Sequence, residues 1–222
     1  MSGTDRTRVV LVRHGESEAT VHRVIGGPRT CTGLSTLGVV QSERLRDRLA
    51  ATGEIRATVL YSSAFPRARE TADIIAPALA LPVRVEPGFG EHDPGPECDG
   101  MSFAAFVERH GSPDWSGDPH AISFPGGETV AEFRHRVGAT LSTVLSEHHG
   151  GVVVVACHGG VVEAVFRSML RLPIAGRVDL YARNTSLTEF VTTGSGHWRL
   201  DRYNDAAHLA GLPEESPRTG PP

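Results

Sequence analysis

Three places in this 222-residue chain carry imidazole or guanidinium groups where an apolar or small-residue run ends: Arg13-His14-Gly15, Ser62-Ser63 followed by Arg67, and His158-Gly159-Gly160. A guanidinium presents a planar fork of donors that matches phosphate oxygens, and an imidazole can attack phosphorus through a ring nitrogen. For His14 to act in this way its other nitrogen must donate to a fixed acceptor, commonly a backbone carbonyl. It also needs nearby cations that hold the phosphate rather than protonate the ring. Arg13, Arg67 and His158 are available for that holding role. Gly15, Gly159 and Gly160 are expected to let the backbone turn sharply and approach a ligand closely. Together these residue types point to an anion site and to phosphoryl transfer, with arginine and histidine spreading the charge as it develops.

Such a set works only if the chain gathers it. Residues 9–12 are purely apolar and stop at Arg13-His14-Gly15, and Val152–Cys157 repeats the pattern before His158-Gly159-Gly160; both read as strands buried on two faces. Residues 58–61 and Val83–Val85 read as two further strands. Helical periodicity falls between them, over 35–51, Pro66–Leu79, 129–147 and 161–170, with Pro66 at a first-turn position and Thr129 and Glu132 at capping-box spacing. Strands alternating with helices predict an α/β domain, a three-layer α/β/α sandwich around a mostly parallel sheet. In such sheets ligands bind beyond the carboxyl ends of the strands, where the three polar groups emerge. Residues 187–190 and 198–203, around Gly194-Ser195-Gly196, read as a closing hairpin. Residues 88–127, rich in Gly, Pro, Asp and His around one short helix at 102–109, read as an inserted lid. The expected domain spans 8–208, between a disordered N-terminus (1–7) and a disordered proline-rich tail (209–222).

Composition narrows the chemistry further. The chain has no lysine, so all 22 Lys+Arg residues are arginine. That excludes a Walker-loop lysine, a Schiff-base lysine and a kinase strand lysine. With a formal net charge of −4 and no basic block, nothing suggests a nucleic-acid surface. Cys31, Cys98 and Cys157 are odd in number and lack metal-like spacing, which fits free thiols in a reducing cytoplasm. No apolar run has spanning length, so no membrane segment is expected. No HExxH-type spacing exists among the eleven histidines, and no metal or cofactor is expected. His148-His149 closes a helix, where cations suit the dipole. Nothing fixes the oligomeric state, and a homodimer stays open.

The pieces together resemble the histidine phosphatase superfamily, the phosphoglycerate-mutase-like or RHG family. The resemblance is carried by Leu11-Val12-Arg13-His14-Gly15-Glu16-Ser17, Gly33-Leu34-Ser35 with Gly38 and Gln41, Ser62-Ser63 with Arg67-Ala68 and Thr71-Ala72, Glu91, Pro125-Gly126-Gly127-Glu128-Thr129, Val155-Ala156-Cys157-His158-Gly159-Gly160, and Asn184-Thr185-Ser186-Leu187. It implies that His14 is the phosphorylated residue, that Arg13, Arg67 and His158 grip the phosphoryl group, and that Glu91 protonates the leaving oxygen and then activates water. Asp93, Glu97 and Asp99 lie close enough to compete for the acid's place. Where members often carry Asn, six residues after the nucleophile, this chain has Thr20, whose hydroxyl would stand in for the amide. The stretch from His92 to Gly100 is about one residue longer than the common pattern and lacks its usual aromatic. Arg29, in the atypical Gly26-Gly27-Pro28-Arg29-Thr30, faces either solvent or a second anionic group of the substrate.

The reading that follows is a metal-independent phosphomonoester hydrolase acting on a small phosphorylated metabolite through a phosphohistidine. A phosphoglycerate-mutase-type phosphotransferase is the alternative within the family, disfavoured because residues 100–127 hold no basic run to grip a carboxylate. A non-catalytic phospho-ligand-binding module is the other, opposed by the joint presence of His14, Glu91 and His158.

Overall fold

The two apolar runs that end in His-Gly lie side by side. In the computed structural model, which describes residues 6–115, 117–121, 123–173, 180–193, 196–214 and 216, strand β1 (Arg8–Arg13) pairs in parallel with β4 (Val152–Cys157), and Arg13 stands opposite Cys157. On the other flank of β4 lies β2 (Val59–Ser62), also parallel, followed by β3 (Val83–Val85) at the edge. β5 (Leu187–Thr192) and β6 (Trp198–Asp205) add an antiparallel hairpin beside β1, giving the order β3-β2-β4-β1-β5-β6. The sheet is thus parallel over four strands and antiparallel at its closing hairpin, as a mostly parallel sandwich requires.

Parallel neighbours need crossovers, and helices supply them on both faces. α2 (Thr36–Thr52) and α3 (Pro66–Leu79) cover one face, where Leu45, Leu49, Ile75 and Leu79 bury Val10, Val12, Leu60 and Val154. α6 (Val130–Glu147) and α7 (Gly159–Met169) cover the other, where Phe133, Val137, Leu141, Val161 and Val165 bury Val9, Leu11, Val153 and Val155. Odd and even residues of one strand therefore enter different cores, which is why these strands read as unbroken apolar runs. Two helix starts follow the sequence signals closely. Pro66 opens α3, and Thr129 caps α6 in a full capping box with Glu132. α7 begins two residues earlier than its apolar periodicity suggests, directly after His158, because glycine carries no periodic signal.

The inserted segment contains short helices α4 (Gly95–Cys98) and α5 (Phe103–His110), following α1 (Glu18–Val21) after the first strand. Cys98, Phe106 and Phe124 bury against one another with Ile25 and Met101, so this segment has its own small apolar cluster. Of the tight turn expected in the hairpin, Gly194 and Ser195 lie outside the described residues, as do most of the two terminal segments. Two residues assigned to those segments are nonetheless buried: Thr7, whose hydroxyl accepts from the Gly150 amide, and Leu209, in a 3-10 turn (Ala207–Leu209).

Candidate active site

Sheet register places the candidate residues. Because β2, β4 and β1 are neighbours, Ser63, His158 and His14 leave adjacent strands at the same edge, with the Ser63 amide on Ala156 O (3.0 Å) and the His14 amide on Cys157 O (2.9 Å). The two imidazoles meet edge to face, 5.1 Å between centroids. Arg67, from the first turn of α3, reaches between them. Its Nε donates to His14 Nε2 (3.1 Å) and to His158 Nδ1 (3.3 Å), and Nη1 donates to Gly26 O (2.9 Å).

These contacts fix both tautomers. His14 Nδ1 lies 2.6 Å from Gly15 O, and a carbonyl only accepts, so the proton is on Nδ1 and the lone pair on Nε2. A guanidinium only donates, so His158 Nδ1 is the acceptor and its Nε2–H donates to Ser63 Oγ at 2.7 Å. Both rings are held well below the usual histidine pKa, first by burial and then by the Arg67 charge. Arg13 adds to the lowering of both. Each is therefore neutral at pH 7, and His14 presents an unprotonated Nε2.

Arg13 completes the cationic wall. Its side chain passes Gly159, its Nη1 donates to Ala182 O, and its guanidinium carbon lies 6.0 Å from the centre of the Tyr181 ring. The backbone under His14 is pinned from β5's side: Asn184 Nδ2 donates to His14 O (2.8 Å), and the Thr185 amide to Arg13 O (2.8 Å).

Glu91 arrives from the opposite direction, after a 3-10 turn (Pro87–Phe89). Its Oε2 accepts from the Gly160 amide in the first turn of α7 at 3.0 Å, and its Oε1 from the His92 amide at 3.0 Å. A Cβ on Gly160 would collide with the Glu91 carboxylate, so this glycine makes room for the acid. The carboxyl is thereby fixed two residues along the chain from His158.

The matching family model is the histidine phosphatase superfamily (branch 1), aligned over residues 9–206. The chain belongs to that superfamily. Among curated relatives, phosphoglycerate mutase-like protein 4 of Arabidopsis thaliana is 29% identical over 209 residues, covering 92% of this chain and 88% of the relative. The metal-independent phosphoserine phosphatase of the same plant is 28% identical over 212 residues, covering 93% and 84%. Among solved structures, a mycobacterial glucosyl-3-phosphoglycerate phosphatase superposes with a TM-score of 0.76 at 26% identity, covering 90% of this chain and 99% of that one.

Within this histidine phosphatase the structure gathers His14, Arg67 and His158, runs the Arg13 side chain past Gly159 and seats the Glu91 carboxyl on the Gly160 amide; the other sequence candidates are placed as follows. The Gly15 amide donates to Thr71 Oγ1 (3.0 Å), and a Cβ there would strike Gly38 O, so this glycine lets β1 and α2 pack closely. Gly159 begins α7 with only the Arg13 side chain near its Cβ position. Thr20 Oγ1 meets Ser17 Oγ at 3.1 Å, inside its own turn. Asp99 cannot stand in for Glu91, because its buried carboxylate accepts from the amides of Gly27 and Arg29 (both 2.8 Å) and from the Thr30 hydroxyl. Asp93 Oδ1 accepts from the Gly95 amide (2.9 Å), and Glu97 is exposed on α4. Arg29 is half exposed to solvent, with its guanidinium 3.4 Å from Asp99 and 3.6 Å from Asp93. His148, at the end of α6, contacts the Tyr61 hydroxyl at 3.0 Å. Among the described residues no helix is long and apolar enough to cross a membrane.

Proposed function

We propose that His14 is the nucleophile of a metal-independent phosphomonoester hydrolase acting on a small phosphorylated metabolite. The observation that carries this reading is the Arg67 Nε bridge between His14 Nε2 and His158 Nδ1, which supports this edge as the place that receives a tetrahedral anion. As a phosphoryl group takes up the donors of Arg67 and Arg13 beside the His158 ring, the His14 Nε2 lone pair is released for in-line attack. A P–N bond forms and the ester P–O bond breaks. The Glu91 carboxyl gives its proton to the departing oxygen, then as carboxylate takes one from the water that attacks phosphorus and cleaves the P–N bond. Phosphate departs and His14 is regenerated with its Nδ1–H still on Gly15 O. Gly159 lies beside the Arg13 side chain at the start of α7, and Thr20 is the remaining binding candidate.

Hydrolysis is favoured over mutase chemistry because residues 100–127 carry no run of cations to grip a carboxylate. Arg29 is paired with Asp93 and Asp99, and Arg109, the sole arginine between 100 and 127, is exposed on α5. Assay of 3-phosphoglycerate with and without bisphosphoglycerate separates the two: release of phosphate is expected in both, and interconversion of phosphoglycerates would overturn the preference. The reading needs neither nucleic acid nor a membrane. It serves a single copy or a homodimer alike, since the residues named come from one chain. The buried thiols of Cys31, Cys98 and Cys157 are consistent with a cytoplasmic location.

Substitution of His14 tests the core of the proposal. His14→Ala is expected to lower turnover of an aryl phosphate by at least about a thousand-fold. It should also abolish the acid-labile, base-stable phosphate trapped on the wild type in chelating buffer. Full activity in His14→Ala would end the assignment.

A further inference from the structure

Glu91 has no regular secondary structure beneath it, yet its carboxyl must be aimed. The backbone on both sides of it is tied to one guanidinium. Arg136, on α6, donates from Nη1 to Gly88 O (2.9 Å) and Gly90 O (3.1 Å), and from Nη2 to Glu91 O (3.3 Å). The remaining donors go to Glu128, Nε to Oε1 (2.7 Å) and Nη2 to Oε2 (2.8 Å). Glu128 in turn holds the far side of the loop. Its Oε2 accepts from the Asp93 amide (3.0 Å), and its own amide donates to Asp93 O (2.9 Å). Between these ties the His92 ring turns away from the site into Phe124, Phe133 and Trp115, with centroids 5.5 to 5.7 Å apart.

We propose that Arg136, braced by Glu128, is the positioning residue that aims the Glu91 carboxyl at the leaving group. This rests on the reading of Glu91 as the acid. All five guanidinium N–H groups are engaged, three of them on carbonyls within residues 88–91, so the fork fixes the backbone dihedrals that set the direction of the Glu91 side chain. An ammonium on a flexible stem could not span the same acceptors. Arg136 also stands near enough to the strand-end cluster that its charge adds to the lowering of the His158 pKa.

The test compares kcat/KM, which reports transfer to His14, for phosphate esters of good and poor leaving groups. Phosphoryl transfer to a poor leaving group needs the proton most, and a displacement of about 1 Å costs about a hundred-fold. Arg136→Gln is therefore expected to lower kcat/KM for an alkyl phosphate by about 30-fold and for 4-nitrophenyl phosphate by less than about 3-fold, with the Ki of inorganic phosphate little changed. Glu128→Gln, a milder change, should show the same signature at smaller size, and Arg136→Lys should fail to restore it. In a Glu91→Gln background, Arg136→Gln should have almost no further effect. If Glu91→Gln itself leaves the leaving-group dependence as in the wild type, the acid assignment falls and the clamp with it. If Glu91→Gln steepens it but Arg136→Gln and Glu128→Gln do not, the acid stands and the clamp is overturned. Multiplying losses in the double variant, or equal loss on all esters with weakened phosphate binding, would likewise overturn it.

Discussion

Two regions of the molecule meet at the candidate site, and they are held in place by different means. His14, Ser63 and His158 are strand-end residues whose positions follow from backbone register, Arg13 opposite Cys157 and Ser62 opposite Ala156. Glu91 lies on an irregular loop whose position follows from side chains, the Arg136–Glu128 pair and the amide of Gly160. Register is shared with every neighbouring ladder bond and with two apolar cores, so the strand-end group is pre-formed by the same forces that fold the sheet. The loop depends on the Arg136–Glu128 contacts, the buried Phe89 and the packing of His92 among aromatic rings, rather than on strand register. Damage to the first region should abolish phosphoryl transfer whatever the ester, whereas damage to the second should scale with how much the leaving group needs a proton.

Arg67 offers the strongest way to break this contrast after His14 itself. Removing a preorganised donor to the phosphoryl group costs about a hundred- to a thousand-fold in turnover. Arg67→Ala should show such a loss equally for alkyl and aryl phosphates, with weaker inhibition by inorganic phosphate. Arg67→Lys should recover little of it, because no single lysine donor replaces an Nε that bridges two imidazoles while Nη1 is held by Gly26 O. A leaving-group-dependent loss in Arg67→Ala would mean that the two regions do not divide the chemistry as described.

The glycines of α7 sharpen the contrast within three residues. Gly160→Ala would push a Cβ into the Glu91 carboxylate, whereas the same change at Gly159 meets only Arg13 Nε at an ordinary 3.7 Å. Gly160→Ala is expected to lower kcat/KM for alkyl phosphates by about 10-fold while leaving inhibition by phosphate unchanged, and Gly159→Ala to stay within about 2-fold on every ester. Steady-state kinetics on the two variants side by side checks this. Equal effects would show that the Glu91 carboxyl is not seated on the Gly160 amide during turnover.

What could be read from the sequence divides along the same line. Apolar β-branched runs stopping at His-Gly announced β1 and β4, and a shared sheet edge followed from the α/β alternation, so the meeting of His14, Arg67 and His158 was legible before any coordinates. Glu91 was legible only through resemblance, since a carboxylate in a Gly- and Pro-rich stretch carries no periodic signal. Arg136 went unnoticed: on a helix otherwise read for its apolar face, an arginine beside Arg134 and His135 looks solvated, and its carbonyl partners belong to a loop 45 to 48 positions away. Asn184 was quoted only as part of a family segment, because a side-chain amide bound to the main chain of another strand leaves no trace in local pattern. Gly15 was read for approach to a ligand, while close packing against Gly38 needs the same residue type.

Burial of the strand-end imidazoles also gives a pH signature in stability. In the folded protein His14 and His158 have pKa values well below the ordinary value, and His208 is lowered to about 4, all chiefly by burial. As pH falls through about 6.5 the unfolded chain takes up these protons and the folded one does not, so stability is full above that value and declines below it. Thermal unfolding should therefore show Tm falling between pH 7 and pH 5, a window above that of the paired carboxylates, where Asp205 for example titrates near 2. His14→Asn should flatten the decline by roughly 1 kcal/mol per pH unit at most. An unchanged slope would mean that His14 is protonated in the folded protein and unfit to attack. The low nucleophile pKa also predicts that kcat/KM, corrected for the substrate phosphate's own ionisation near about 6, keeps its value well below pH 6.5.

The smallest effect belongs to Thr20, where geometry and family pattern pull apart. If its hydroxyl donates to the phosphoryl group in place of an amide, Thr20→Ala should cost about 10-fold in kcat/KM, the worth of one ordinary hydrogen bond to a charged group. In the structure that hydroxyl is 3.1 Å from Ser17 Oγ, and Ser17 is itself the cap of α1, accepting from the Thr20 amide at 3.3 Å. The hydroxyl thus serves a turn that the Ser17 cap can maintain without it. A loss below about 3-fold, uniform across esters, is expected. Thr20→Asn then separates the two roles: a rise in phosphate affinity would show that the position faces the anion and that threonine merely under-uses it, whereas no change would assign Thr20 to the turn alone.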